Sequence, residues 1–375
     1  MDRPVHIIEP TLRDANGHCF SLALSLCQGL AGDPSPVHVW TEGSGSALFR
    51  DVPAVTAHGH FRRRWRRPQS LLLLRRLLRE PGHLILPTAR TTDFLLADWA
   101  ADGPITEPGK LTFFVHWYTP SERKRRFLRK FAATHPGVLV VGPGEAVVSV
   151  LRECGFAHAY AVPYPMVDSF APPDRARPPA FRGLLYSGSA RIEKGFPMVV
   201  DTVAELLQDA DDYPITVHAL PPSKGSHEAG IPEAIGRLQA LASPRLEVLE
   251  SAYGLADFQA LFPGRISLLP YDPVAYADRV STVALDAWRS GSPLIAPAGS
   301  WMAPMVSKHD AGIVVDSLDP TTLAAAVRTI RADFATYQQN AFRAGDDAMR
   351  RHDPSILMDA VKRGPTALTE RLGVA

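Results

Sequence analysis

Short apolar runs alternate with helical patterns along almost all of this 375-residue chain, and that rhythm limits the fold more than any other feature. In the first half, His6–Ile8, Val37–Trp40, His83–Leu86, Leu111–Val115, Val138–Val141 and Tyr160–Val162 read as strands. Helical patterns lie between them, at Cys19–Leu30, Ser70–Arg79, Ser121–Ala133 and Glu145–Glu153. The second half repeats the pattern with strands at Leu184–Tyr186, Ile215–Ala219, Leu246–Leu249, Ile266–Leu269, Leu294–Ala296 and Ile313–Val315. Its helices fall near Pro197–Gln208, Glu233–Leu241, Ala256–Phe262, Ser281–Arg289 and Pro320–Ile330. Strands alternating with helices predict parallel sheets built by right-handed crossovers. The Pro-rich run APPDRARPPA (Ala171–Ala180) separates the halves and reads as a linker. The expected division is therefore 1–170, a linker at 171–180, 181–355, and a tail at 356–375 that returns to the first domain. Two doubly wound α/β domains place ligands at strand carboxyl ends, in a cleft between them.

Composition narrows the class. A hydrophobic content of 46% suffices for two cores. Cys19, Cys27 and Cys154 show neither CxxC nor zinc-like spacing, which is cytosolic cysteine usage. Asp2, Arg3 and Glu9 interrupt any leader-like apolar run, and no window is apolar enough to cross a bilayer. A cytoplasmic protein is expected. The net charge of +1 conceals an asymmetry, because Arg50–Lys130 holds 17 Lys and Arg against 7 Asp and Glu. Two basic amphipathic stretches supply it: Phe61–Glu80, with Trp65, and Ser121–Lys130, with Phe127, Leu128 and Phe131. Such helices suit an anionic membrane surface or a plain solvated face. Nucleic acid is not expected, since no stacking platform or reader motif accompanies the charge.

The segment LLYSGSARIEKGF (Leu184–Phe196) carries the most chemistry. An apolar run ends in Ser187-Gly188-Ser189, Lys194-Gly195 follows, and a helix begins near Pro197. A strand, a small-residue turn and a helix start form an anion site when amides and cations converge there. A diphosphate is the natural guest, and an ordinary β–α turn with surface charges is the plainer reading.

Further motifs follow in register. Leu255–Tyr271 reads LADFQALFPGRISLLPY, Asp278 precedes Asp286 by eight positions, and Asp286–Pro297 reads DAWRSGSPLIAP. Together with Gly188-x5-Lys194-Gly195, these resemble the nucleotide-sugar-binding domain of family 4 retaining glycosyltransferases of the GT-B architecture. The matched segments are "GRLxxxKG", a helix and strand ending in "PS", the paired acids E-x7-E, and "EAMAxGxPVVA". The resemblance spans Leu184 to about Ile330. The first half is less similar: Asp14–Leu30 resembles the family's "GG" loop with only Gly17 of the pair, and Phe113–Pro120 ends a strand in His116, where the family carries a histidine facing the donor sugar.

The resemblance implies two Rossmann-like doubly wound domains facing each other across a cleft. It also implies a retaining hexosyltransferase using a nucleotide-diphosphate sugar, with a glycan or lipid-linked acceptor at the cytoplasmic membrane face. Lys194 and Arg191 would neutralise the departing β-phosphate; the family arginine occupies the position of Ser189. Asp286 would accept hydrogen bonds from the ribose, and Asp278 would face the donor sugar. Both are one methylene shorter than the family's Glu. Arg279 would be a phosphate ligand or an ion-pair partner, and the amides around Ser281 and Thr282 would add donors. His116, Lys194 and Asp278 are thus the expected catalytic residues; Gly17, Gly188, Arg191, Arg279, Ser281, Thr282 and Asp286 complete the donor site. No metal or other cofactor is expected, because the lone Asp-x-Asp (Asp209–Asp211) falls at the far end of the sheet. Ser223–His227 would line a base pocket or an ordinary loop. Two rivals share the architecture: a catalytically silent nucleotide-sugar-binding subunit and a nucleotide-sugar epimerase.

Overall fold

The computed structural model describes residues 3–15, 18–116, 120–166, 173–210, 212–220, 228–251 and 253–372. Gly17, Asp211 and Ser223–His227 lie outside them. The chain divides into two units, Met1–Asp168 with His352–Ala375, and Ser169–Arg351.

Unit 1 runs β1 (Val5–Ile8), α1 (His18–Gln28), β2 (Val37–Glu42), β3 (Val55–Phe61), α2 (Arg66–Arg79), β4 (His83–Leu86), α3 (Thr91–Ala100), β5 (Leu111–Phe114), α4 (Glu122–Thr134), β6 (Leu139–Gly142), α5 (Glu145–Glu153) and β7 (His158–Ala161). Its sheet is parallel throughout, in the order β3-β2-β1-β4-β5-β6-β7. Strands β1, β4, β5 and β6 are wholly buried, as continuous apolar runs covered on both faces require.

β3 is absent from the expected strands, and its composition explains why. VTAHGHF holds little apolar character, and at the sheet edge only Phe61 is buried. What fixes β3 is pairing with β2 and an aromatic ladder, in which Trp40 stacks on His58 and His38 meets His58 through their ring nitrogens at 3.1 Å. The two basic helices are also more committed than their amphipathicity suggests. In α4, Leu128 and Phe131 are in the core, while Arg125 and Arg129 pair with Glu153 and Glu122. That apolar side is therefore unavailable to a membrane. In α2, Leu73, Leu74 and Leu77 are buried, whereas Trp65 and Leu72 remain 63% and 66% exposed.

Unit 2 runs β8 (Gly183–Ser189), α6 (Phe196–Leu206), β9 (Ile215–Leu220), α7 (Ile231–Ala240), β10 (Leu246–Leu249), α8 (Leu255–Gln259), β11 (Arg265–Leu268), α9 (Thr282–Arg289), β12 (Leu294–Pro297), α10 (Ala303–His309), β13 (Gly312–Val315), α11 (Pro320–Ala332) and α12 (Phe334–Arg351). Its sheet is also parallel, in the order β10-β9-β8-β11-β12-β13. Each sheet starts in the middle, builds outward, then reverses, so each has a switch point: β1/β4 in unit 1 and β8/β11 in unit 2. Ligands of such sheets bind beyond the strand carboxyl ends at that point.

The described part of the Pro-rich segment is docked on α12. Arg175 forms a two-pronged bridge to Asp346 and covers the Phe342 ring, and the Gln338 amide donates to Pro179 O. After α12 the chain joins unit 1 through α13 (Pro354–Arg363) and α14 (Thr366–Leu372). There His352 hydrogen-bonds Tyr164 O through Nδ1 at 2.7 Å, and Lys362 bridges to Asp33.

Within unit 2, α12 and α10 are tied by Asp347, which accepts from Lys308 (2.7 Å), His309 (3.0 Å) and Arg351 (3.2 Å). The Lys308 hydrogen bond, helped by His309 and Arg351, holds the Asp347 carboxyl well below the usual carboxylate range. A carboxylate so depressed contributes stability above its unfolded pKa, near 4, and loses it as pH falls. Asp347→Asn is expected to cost about 1–2 kcal/mol at pH 7 in urea unfolding, with the gap to wild type narrowing at pH 3.

Candidate active site

The switch point of unit 2 gathers most of the expected donor-site residues. β8 ends in Gly188 and Ser189, and the turn that follows passes through a short 3-10 segment, Ile192–Lys194, before α6. Gly195 sits at φ +66°, and a Cβ there would overlap the carbonyl of Pro270, just after β11. Glycine at this position therefore lets the turn close against the neighbouring strand's exit. Gly188 is at φ +140°, and Lys194 Nζ lies 3.0 Å from where its Cβ would be. The ammonium is thus laid over bare backbone at the end of the central strand. Its Nζ lies over the Tyr271 ring, 5.5 Å from the centroid.

No carboxylate among the described residues ion-pairs with Lys194. Burial, with Arg191 and Arg279 nearby, lowers its pKa to about 8. Glu193 instead pairs with Arg191 (3.2 Å) and Arg279 (3.1 Å), drawing both arginines to the same turn. Against the burial that would raise it, Arg279 and Arg191 hold the Glu193 carboxyl below its ordinary value. Three cations face two carboxylates at this turn, Glu193 and the Glu228 that accepts from the Ile192 amide, and the remaining positive charge favours an anion. Arg279 also stacks over Tyr276 at 4.9 Å, so it is both ion-pair partner and local cation.

The backbone differs from expectation at this turn. The amides of Lys194, Gly195 and Phe196 donate to carbonyls of Arg191 or Ile192, and the Ile192 amide donates to Glu228. The side-chain cations, rather than those four amides, therefore carry the anion-binding capacity. α9 behaves more as expected. Ser281 caps it, its hydroxyl accepting from Ala284 N at 3.3 Å, while Thr282 and Val283 supply first-turn amides with no intrahelical acceptor.

Asp286 belongs to a second group. Its Oδ1 accepts from Gln259 Nε2 at 2.7 Å, and burial raises its pKa to about 6 despite Gln259 and Arg289. Asp278 is exposed in the loop before α9 and joins neither group. His116 lies in unit 1 at the end of β5, where Nε2 donates to Pro87 O at 2.9 Å. Burial, with His18 and Arg90 nearby, lowers its pKa to about 3, so the ring is neutral at any physiological pH. Asp209 bridges to Arg328 on the opposite side of the sheet from the site, as strand polarity requires.

Three buried polar residues near the site had no role assigned from sequence: His218, and Ser187 and Gln259, which appeared only inside longer motifs. Ser187 and His218 are register partners on β8 and β9. His218 Nε2 donates to Ser251 O, leaving its buried Nδ1, like Ser187 Oγ, without a partner among the described residues. Gln259 Oε1 is similarly orphaned beside Asp286. A polar residue near the carboxyl end of a buried parallel strand was the available signal for His218.

No family model and no curated protein sequence matches this chain. Solved structures do. HepE of Anabaena, crystallised with UDP and glucose, aligns at TM-score 0.66 and 14% identity over 99% of both chains. The sucrose-phosphate synthase of Thermosynechococcus elongatus aligns at 0.63 and 15% identity over 99% of both. A UDP-forming α,α-trehalose-phosphate synthase of Burkholderia vietnamiensis aligns at 0.64 and 13% identity, over 100% of this chain and 99% of that one. The chain has the GT-B fold of these glycosyltransferases, with two Rossmann-like domains.

An ammonium whose pKa is about 8 in the folded chain and near 10.4 unfolded works against folding while charged. Between those values the unfolded chain binds more protons, so stability rises with pH. Lys194→Met is expected to unfold at a higher temperature than wild type at pH 7, with the difference shrinking toward pH 10; thermal unfolding at both pH values measures it.

Proposed function

We propose that this chain is a retaining glycosyltransferase that moves a hexose from a UDP- or GDP-type donor to a glycan or lipid-linked acceptor. The observation that carries the reading is the unpaired Lys194 ammonium over Gly188 at the unit 2 switch point, with Arg191 and Arg279 brought to the same turn. In the transfer, the bond from the anomeric carbon to the β-phosphate oxygen breaks and its electron pair stays on that oxygen. The acceptor hydroxyl forms the new bond from the same face and passes its proton to the leaving phosphate. Negative charge grows on the phosphate as this happens, so fixed cations stabilise the transition state more than the ground state.

Asp286 would accept from the ribose hydroxyls, oriented by Gln259, and the Thr282 and Val283 amides would donate to phosphate. Asp278, exposed and unengaged, would meet the donor sugar. His116, held neutral, would serve as a hydrogen-bonding partner rather than a cation or acid. In this reading charge neutralisation falls to side chains and amides, without a resident metal. Lys194→Ala is expected to lower nucleoside-diphosphate release from the preferred donor by about 10²-fold or more, with donor binding retained in weaker form. Unchanged turnover contradicts the assignment, and binding without turnover in wild type supports a silent subunit instead.

Action at a cytoplasmic membrane face is supported by the exposed Trp65, which follows the exposed Arg62, Arg63 and Arg64 in the chain, and by the exposed Leu72 of α2. Among the described residues no helix is long and apolar enough to cross a membrane, so any attachment through them is peripheral. Replacing Arg62, Arg63 and Arg64 with Gln is expected to weaken binding to phosphatidylserine vesicles by on the order of 10²-fold, with turnover of soluble substrates unchanged. Absence of vesicle binding in wild type overturns the membrane reading alone.

A further inference from the structure

Two of the three cations at the unit 2 turn stand over tyrosine rings. Tyr271 and Tyr276 follow β11, and their ring centroids lie 4.5 Å apart. Lys194 Nζ is 5.5 Å from the Tyr271 centroid, and the Arg279 guanidinium is 4.9 Å from that of Tyr276. Both rings are buried, Tyr271 completely. Burial raises both phenols well above their ordinary pKa, so neither supplies a negative charge at physiological pH.

The loop that carries the rings is fixed by its own hydrogen bonds. Asp272 Oδ1 accepts from the amides of Val274 (2.8 Å) and Ala275 (3.0 Å), which turns the chain between the two tyrosines. The Tyr276 amide donates to Asp272 O at 3.0 Å, and the Trp301 amide donates to Tyr276 O at 2.7 Å. The Asp272 amide donates to Glu193 O at 2.9 Å, which joins this loop to the turn that carries Lys194. Rings and cations therefore belong to one hydrogen-bonded unit.

A ring face holds a cation differently from a carboxylate. Its quadrupole attracts the cation without any net charge of its own, and the attraction grows where water is excluded. A carboxylate in the same place would hold the cation and also cancel it. Arg279 has both kinds of anchor, Glu193 and Tyr276. Lys194 has no carboxylate partner among the described residues, so the Tyr271 face is what it rests on.

We propose that Tyr271 and Tyr276 are positioning residues, a two-ring floor that orders Lys194 and Arg279 and leaves their charge free for the anionic ligand. The identity of that anion rests on the glycosyltransferase reading; the grip of the rings on the cations does not. The property that acts is the electron density of the ring face, not the phenol hydroxyl and not the volume.

The test replaces Tyr271 in the full chain with phenylalanine, then with mono-, di- and trifluorophenylalanine. Fluorine withdraws density from the ring face with little change of shape. One readout is the Lys194 titration in the free chain, followed by NMR of isotope-labelled lysine and assigned with Lys194→Met. The other is UDP affinity by calorimetry at pH 8. Tyr271→Phe is expected to leave both close to wild type. Fluorination is expected to lower the Lys194 pKa stepwise, by about one at the trifluoro ring, and to weaken UDP by about fivefold. The same series at Tyr276 is expected to weaken UDP by about twofold or more through Arg279. A Lys194 titration that stays flat along the series overturns the proposal, because the rings then only fill space. Full loss already in Tyr271→Phe overturns it too, since the hydroxyl is then what matters. A titration that follows fluorination in a chain that binds no UDP leaves the grip of the rings standing and contradicts the donor reading instead.

Discussion

The chemistry proposed for this chain depends on one electrostatic arrangement: an ammonium kept charged but poorly solvated above the end of a central strand. Lys194 cannot relieve its burial through a carboxylate, because Glu193 is committed to Arg191 and Arg279. The arrangement exists because Gly188 leaves room for the ammonium and Gly195 lets the turn close on Pro270. A side chain at Gly195 would meet backbone, and one at Gly188 would displace the lysine. The cost of an unpaired cation in a folded protein is the usual mark of a site that expects an anion.

The two parallel sheets put this arrangement to use. Each unit reverses its strand order next to its first strand, at β1/β4 and β8/β11, so each offers one natural ligand position. In unit 2 that position carries Lys194 and the orphaned atoms of Ser187 and His218. In unit 1 it carries Arg66, Arg67 and Arg90 around a cavity.

Much of this was legible in the residues. Continuous apolar runs such as Leu184–Tyr186 and Val138–Val141 admit little besides buried parallel strands, and the Gly188 to Gly195 spacing located the turn. What escaped detection had weaker local signals. VTAHGHF becomes β3 through edge pairing and stacking with Trp40, which no local pattern encodes. α12 carries its apolar residues among many charges, and its role emerges only from Asp347 and Asp346 gripping distant segments. Gln259 and His218 matter because of what they face, and facing is a tertiary property. The amide donors expected around Lys194 proved to be consumed by the turn itself, since a 3-10 segment closes its own hydrogen bonds.

The most direct test of the central claim is the proton count on binding. Calorimetric titration of UDP at pH 8, repeated in two buffers of different ionisation enthalpy, reports protons taken up by the complex. An ammonium with a pKa of about 8 in the free chain gains proton occupancy when a diphosphate arrives. The account predicts uptake of roughly half a proton by the wild-type chain and none by Lys194→Ala. Tight UDP binding with no proton uptake, or equal uptake in the variant, would contradict it.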